Sequence, residues 1–436
     1  MSNNELTVND RSVLNSDASS IKNLPRRNFL RTATQSAAAL PISALTLSAL
    51  TMPALSAMVN AAEKSDSLKA QQAMAFLEQV LSDHDAAFAS DDWGLTTDND
   101  RAEGRLMLLN TLSHALDAWL HADAARPVFK RWHNPEKKLL GDNPDSLYYD
   151  APASAEHSYR ITGNIDGATY TSFTVEITRG AASGKLGAVI NDDQFTIEDD
   201  GSYEIIASAK KPTGDLANKN WLPLAPNARS ITTRHYFETQ DSVSADRLKH
   251  IPILIENMVD PGPAPRLTED EIAGRIMRAA HWLKATVFPP SAQRSPHWVS
   301  RVPNQFSPPK VDDTNQAIGY AAKDNTYAMT WFDLQPDQAL IIRGRWPKCR
   351  FANVVLQNLF MQTLDYVYRN ISLNRTQAVV DKDGNFEMIV AAKDPGKANW
   401  LDTEGRQRGV IFCRFQLVEG DLAPLTTELV DISTLA

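Results

Sequence analysis

One block occurs twice in this chain, as DGSYEIIASAKKP from Asp200 and as DGNFEMIVAAKDP from Asp383. Each copy is followed by Asn-Trp-Leu, at Asn220–Leu222 and Asn399–Leu401, and then by Arg229 or Arg408, eight residues past the Trp. Gly163 and Tyr170 stand seven positions apart in the first half, as Gly344 and Phe351 do in the second. Two halves that share one pattern at an offset of about 180 residues restrict the chain to a repeated module. The alternation within Tyr170–Val175 and Tyr327–Asp333 makes that module β. The expected fold is mainly β with α: two tandem β modules, preceded by a helical segment and joined by a helical connector.

The N-terminus reads as an address. Residues 1–24 are polar, and Pro25-Arg26-Arg27-Asn28-Phe29-Leu30-Arg31 precedes an uncharged, weakly apolar run from Thr32 to Ala62 that Pro41 and Pro53 interrupt. Paired arginines before such a run resemble a twin-arginine export signal, with cleavage expected near Ala61–Ala62. The implied location is the periplasm, reached already folded, with the twin-arginine translocase as a partner during export. No stable membrane span is expected after cleavage. A formal charge of −9 with no basic face standing out argues against a nucleic-acid partner. The only two cysteines, Cys349 and Cys413, form either a bridge between neighbouring strands or two buried thiols.

The expected organisation is a signal and polar N-terminus over 1–61, helices over 62–125, a first β module over 126–240, a helical connector and Pro-rich arm over 241–320, and a second β module over 321–436. Leu77, Val80, Leu81 and Phe88 mark one amphipathic helix, and Leu109, Leu112, Leu116, Trp119 and Leu120 the apolar stripe of another. Residues 244–258 read as helical, and Thr268 with Glu271 caps a further helix. The Pro-rich run from Pro289 to Pro309, carrying His297 and Trp298, is either a linker or a lid.

Taken together, GDNPDSLYY (Gly141–Tyr149), the Tyr159-Arg160-Ile161 strand, the Tyr170–Thr174 strand and the repeated DGxxE…NWL block resemble the bacterial family called domain of unknown function 1214. The resemblance covers roughly residues 100–240 and 320–420. It implies a jelly-roll-like antiparallel sandwich and no established activity, so it transfers no catalytic residues. The second copy departs at its start, where KDNTY (Lys323–Tyr327) stands for DNPDSLY.

Candidate site residues follow from side-chain chemistry. Trp221, Trp400 and Trp346 either line a ligand groove or cap a sandwich end. Arg343 and Arg345, which replace Thr162 and Asn164 of the first half, suit an anionic ligand or ion pairs between modules. Asn143 and Asp145 either grip a cation or sugar hydroxyl or close an Asx turn. Arg234 and His235 face opposite sides of a regular strand, so only one of them enters a groove. Glu204 and Glu387, repeated in the block, are expected to pair with Arg229 and Arg408. His114, Asp117 and His121 share a helix face but make too few ligands for a metal. No phosphate loop, nucleophile elbow or Cys-x-x-Cys is present, and no cofactor is expected. The function expected is binding of a small or glycan-like ligand in a Trp- and Arg-lined groove between the modules. The alternative is a hydrolase or lyase using His235, Arg234 or His297 with carboxylates at the module interface.

Overall fold

The structure, a computed structural model, describes residues 52–177, 186–290, 299–308 and 324–435. The twin-arginine segment, His297 and Trp298 lie outside the described residues. Two helices come first, α1 (Met52–Ala87) and α2 (Asp98–Ala115). Thr97 caps α2 reciprocally with Asp100, and one π turn, Leu116–Leu120, prolongs it. Strands β1 (Lys130–Arg131), β2 (Ser146–Pro152), β3 (Tyr159–Asn164), β4 (Tyr170–Glu176), β5 (Leu186–Asn191), β6 (Ser202–Ser208), β7 (Asn220–Pro223), β8 (Ser230–Tyr236) and β9 (Ile253–Asn257) build the first module. Helix α3 (Glu269–Thr286) follows, with Thr268 as its N-cap, as expected. The second module holds β10 (Asn325–Asp333), β11 (Gln338–Arg345), β12 (Phe351–Gln357), β13 (Ser372–Asn374), β14 (Asn385–Ala391), β15 (Trp400–Asp402), β16 (Arg408–Gln416) and β17 (Thr426–Asp431).

These strands form two tandem sandwiches. The first packs sheet β1-β2-β8-β4-β5 on sheet β7-β6-β3-β9, and the second packs β10-β16-β12-β13 on β15-β14-β11-β17. Apart from the short β1, the strand orders of the two modules are the same. Phe173, Val175 and Ile231 meet Ile161, Tyr203 and Ile205 in the first core; Val354, Ile411 and Phe415 meet Leu340, Ile342 and Met388 in the second.

The repeated block explains one edge of each module. Gly201 and Gly384 supply the positive φ (84° and 80°) that turns the chain into β6 and β14. The chain then returns parallel, not antiparallel: Trp221 sits opposite Ile206, and Trp400 opposite Ile389. Asn220 bridges this return by bonding the Thr196 backbone at 2.8 and 3.1 Å and the Glu204 carbonyl at 2.9 Å. Asn399 does the same with Val379, at 2.7 Å twice, and with Glu387, at 3.0 Å. A carboxamide carries donor and acceptor together, so it can stand in for a missing peptide group.

Three expectations give way. Residues 253–257, read as helical, form β9, an edge strand antiparallel to β3. Ile253 and Ile255 face the first core while Leu254 and Glu256 are exposed, a period of two. On α2 the buried stripe is Met107, Leu108, Thr111, His114 and Ala115, and Leu109 is 57% exposed, whereas Leu112, Trp119 and Leu120 of the expected stripe are half-buried against neighbouring apolar clusters. Gly104 turns the helix this way, because its bare Cα lets Phe360 and Phe88 close on that face. Glu204 pairs with Arg160 and Lys219, and Glu387 with Arg343, whereas Arg408 bonds Asp100 of α2.

Candidate functional site

The two β8-containing and β16-containing sheets meet face to face, and side chains pointing out of each sandwich core line the seam between them. On β8, Ile231 packs in the first core, so Arg234 and Tyr236 point outward. On β16, Ile411, Cys413 and Phe415 take the core, so Arg414 and Gln416 point outward. Register fixes the correspondence: Arg234 lies between Tyr148 and Ser172, and Arg414 lies between Tyr327 and Asn353. Tyr236 lies between Ser146 and Tyr170, and Gln416 between Asn325 and Phe351.

The modules are clamped by exchanged carboxylates. Asp145, just before β2, accepts from Asn353 Nδ2 at 2.8 Å and Asn374 Nδ2 at 3.2 Å of the second module. Asp324, just before β10, accepts from Asn191 Nδ2 at 2.9 Å and the Tyr170 hydroxyl at 2.6 Å of the first. Asn374 and Asn191 occupy matching positions on β13 and β5, so the seam has the reciprocal character of a two-fold dimer contact within one chain. Asn143 Oδ1 accepts from Asn353 Nδ2 at 2.7 Å and also from the Asp145 amide, an Asx turn. Asp142 accepts from the Thr363 amide and hydroxyl. Burial raises the Asp145 carboxyl to about 6, even though the two amides favour its ionised form.

Between the clamps lies a polar cluster. The Tyr148 and Tyr236 hydroxyls stand 3.4 Å apart, and Asn325 Nδ2 donates to both the Tyr236 and Tyr327 hydroxyls at 3.2 Å. Arg234 is 2% exposed and donates to Thr174 Oγ1 at 2.7 Å. Burial opposes its charge, but Glu176 supports it and the guanidinium pKa is raised. Arg414, also 2% exposed, donates through Nη2 to the Gly141 and Asp142 carbonyls and stacks 4.1 Å above the Phe412 ring. Among the described residues its Nη1 has no partner, nor have the Gln416 amide atoms, Asn353 Oδ1 or Gln357 Oε1. His133, packed 5.2 Å from the Tyr148 ring, has an unpartnered Nδ1. Burial holds the imidazole well below its ordinary pKa, and the charges of Lys137, Arg131 and Arg414 add to this, so it is neutral at pH 7. Tyr148 and His133 keep partial exposure among buried neighbours.

The expected site residues separate. Arg234 faces the seam, while His235 turns into the first module, near Thr171 and Thr233, where burial lowers its pKa to about 3. Trp221 and Trp400 lie on the outer sheets, and their indoles donate to the Ser208 carbonyl at 3.2 Å and the Ala391 carbonyl at 3.0 Å, holding the parallel return. Arg343 pairs with Glu387 at 2.8 Å and Glu428 at 2.7 Å within its own sheet, not with the other module. With Arg345 it borders an open groove of about 900 Å3 on the outer face of the second sandwich. Trp346 packs on Phe386, ring centres 4.5 Å apart. Asn143 and Asp145 bind the second module, as described above. His114, within the helices, bonds the Asn110 and Trp132 carbonyls, and Asp117 pairs with Lys137. Cys349 and Cys413 are free thiols. Residues 299–304 of the arm lie beside β10, with the Ser300 amide on the Met329 carbonyl and the Asn304 amide on the Trp331 carbonyl. Arg414, Tyr148, Tyr327 and His133 were not among the expected site residues. The offset of about 180 that relates Tyr170 to Phe351 also relates Arg234 to Arg414, and this was the one signal available for it.

Residues 149–240 match the family described as "Protein of unknown function (DUF1214)". No curated protein matches the chain. An uncharacterized protein from Burkholderia cenocepacia is similar, with a TM-score of 0.73 at 28% identity, over 84% of this chain and 99% of that one. The VPA0106 protein from Vibrio parahaemolyticus gives a TM-score of 0.46 at 11% identity, over 75% of this chain and 98% of that one. Coverage of 84% reaches beyond a single module, so the similar Burkholderia protein shares the tandem arrangement of the fold.

Proposed function

We propose that this is an exported periplasmic protein that binds a small anionic molecule in the seam between two copies of one duplicated module. The observation that carries the binding reading is Arg414. It is a buried guanidinium with an unpartnered nitrogen and no ion pair among the described residues, set among phenols and open amides. A buried charge is costly unless compensated. Asp142 and Asp145 influence it electrostatically, but their oxygens are engaged with Thr363, Asn353 and Asn374. A carboxylate or similar anion would complete the set, with Tyr148, Tyr327 and Gln416 supplying further hydrogen bonds. The matched strand orders and the pairs Asp145/Asp324, Tyr148/Tyr327 and Arg234/Arg414 support the duplication.

The binding test is thermal denaturation of the full chain against small carboxylates, uronates, sulfate and phosphate. A hundredfold excess over Kd stabilises by about 2.7 kcal/mol, a shift of several degrees. Arg414→Met is expected to abolish that shift and Tyr148→Phe to weaken it; an unchanged shift in Arg414→Met would refute the assignment. A hydrolase or lyase is the second reading, favoured by the neutral His133 with its open Nδ1 beside Tyr148, an acid–base arrangement that needs no metal.

Export is supported by the Arg26-Arg27 motif and the uncharged, weakly apolar run that follows it. Cell fractionation is expected to find the parent chain in the periplasm and the Arg26→Lys/Arg27→Lys double variant in the cytoplasm. Equal export of both would remove the twin-arginine route.

A further inference from the structure

The two halves of the seam differ at one position that sets its charge. On β4, Glu176 occupies the outward face two residues beyond Thr174, to which Arg234 donates. Its register partner is Ser230, four residues before Arg234. On β12 the same place is held by Gln357, whose register partner is Val410, four residues before Arg414. Thus Arg234 leans toward a carboxylate of its own sheet and interacts with it electrostatically. Arg414 instead finds a neutral amide, which spends its Nε2 on the Asp142 carbonyl at 3.1 Å and leaves its Oε1 open. Glu176 and Gln357 are 1% and 0% exposed, so solvent screens neither.

We infer that the seam accepts a monoanion and discriminates against dianions, because Glu176 already neutralises one of its two arginines and Gln357 leaves the other to the ligand. This rests on the reading of the seam as an anion site. Asp142 and Asp145 reinforce the limit, since a second ligand charge would have to lie in the low-dielectric space shared with those carboxylates and Glu176. One single-charged group meets Arg414; the remainder of the ligand is neutral and hydrogen-bonds to phenols and amides. A sugar acid with one carboxylate fits that description, and its diacid does not.

The test is calorimetric titration of the full chain with gluconate and with glucarate, a matched monoacid and diacid. The parent chain is expected to bind gluconate at least 10-fold more tightly. Glu176→Gln, which frees Arg234, is expected to tighten glucarate at least 10-fold while changing gluconate less than 3-fold. Gln357→Glu, the reciprocal change, supplies Arg414 with its own carboxylate and is expected to weaken gluconate at least 10-fold, so it carries the test if Glu176→Gln fails to fold. Glucarate binding as tightly as gluconate in the parent chain, or a ratio that neither variant moves, overturns the monoanion inference and leaves the anion site standing. Binding of neither compound, or gluconate binding that Arg414→Met does not reduce, overturns the site itself.

Discussion

Chemical denaturation of an Asp145→Asn variant beside the parent chain, from pH 4 to pH 7, is expected to show a stability difference that changes by about 2.5 kcal/mol. Asp145 is fully buried, and its carboxyl is raised from 3.8 to about 6 by that burial. A folded-state pKa above the unfolded one means that the folded chain holds the proton where the unfolded chain has already released it. Stability from this group is therefore greatest below about pH 4, falls as pH rises toward 6, and is level above it. Each pH unit between the two values corresponds to about 1.4 kcal/mol, which sets the size of the effect. The Asn variant does not titrate, so the parent's stability relative to it should fall as pH rises. At acid pH the two are matched, because the protonated carboxyl and the carboxamide each turn one acceptor and one donor toward the Nδ2 groups of Asn353 and Asn374. A difference that stays constant across this range would show that Asp145 is not the buried carboxylate holding the modules together.

Substituting Ala for Gly163 or Gly344 should destabilise the fold by about 3 kcal/mol in either module, near the upper end of overpacking costs. In each sandwich the glycine pairs across the outer sheet with an aromatic residue, Gly163 with Tyr203 and Gly344 with Phe386, and the ring lies over the bare Cα. A methyl at Gly163 would stand 2.4 Å from the Tyr203 hydroxyl and 2.8 Å from the Pro252 carbonyl. At Gly344 it would stand 2.5 Å from Leu425 Cδ2 and 2.7 Å from Phe386 Cζ. Neither obstacle can be relieved by backbone φ, which is ordinary at both sites; the glycines serve close approach. The two positions should differ in rescue. Adding Phe386→Leu to Gly344→Ala should recover part of the loss, because only side chains obstruct the methyl there. The corresponding Tyr203→Leu should recover less at Gly163, where a backbone carbonyl cannot retreat. Thermal denaturation of the four variants reads this directly, and equal rescue at both sites would contradict the packing described.

Much of the fold was legible in the chain. The recurrence of Asp-Gly turns, of Asn-Trp-Leu and of the glycine–aromatic spacing reported two modules of one plan, and each feature acts within a few residues or across one strand pair. Thr268 announced α3 by the same short-range chemistry. Where local pattern was ambiguous it misled: residues 253–257 could satisfy either period, and pairing with β3 decided for strand.

What the chain alone determined was which side chains share a face; what only the tertiary structure decided was which faces meet. Nothing local in Trp221 or Arg343 separates a binding residue from one that closes its own sheet, since an indole N–H or a guanidinium finds its partners through the fold. Nothing local marks Arg414 as buried opposite the first module. Its burial arises because the inner sheets dock through Asp145 and Asp324, which takes its polar face out of water and leaves its Nη1 without a partner among the described residues. Hydrogen-bond shortage is a property of a closed space, and a sequence closes no space until its strands are in place.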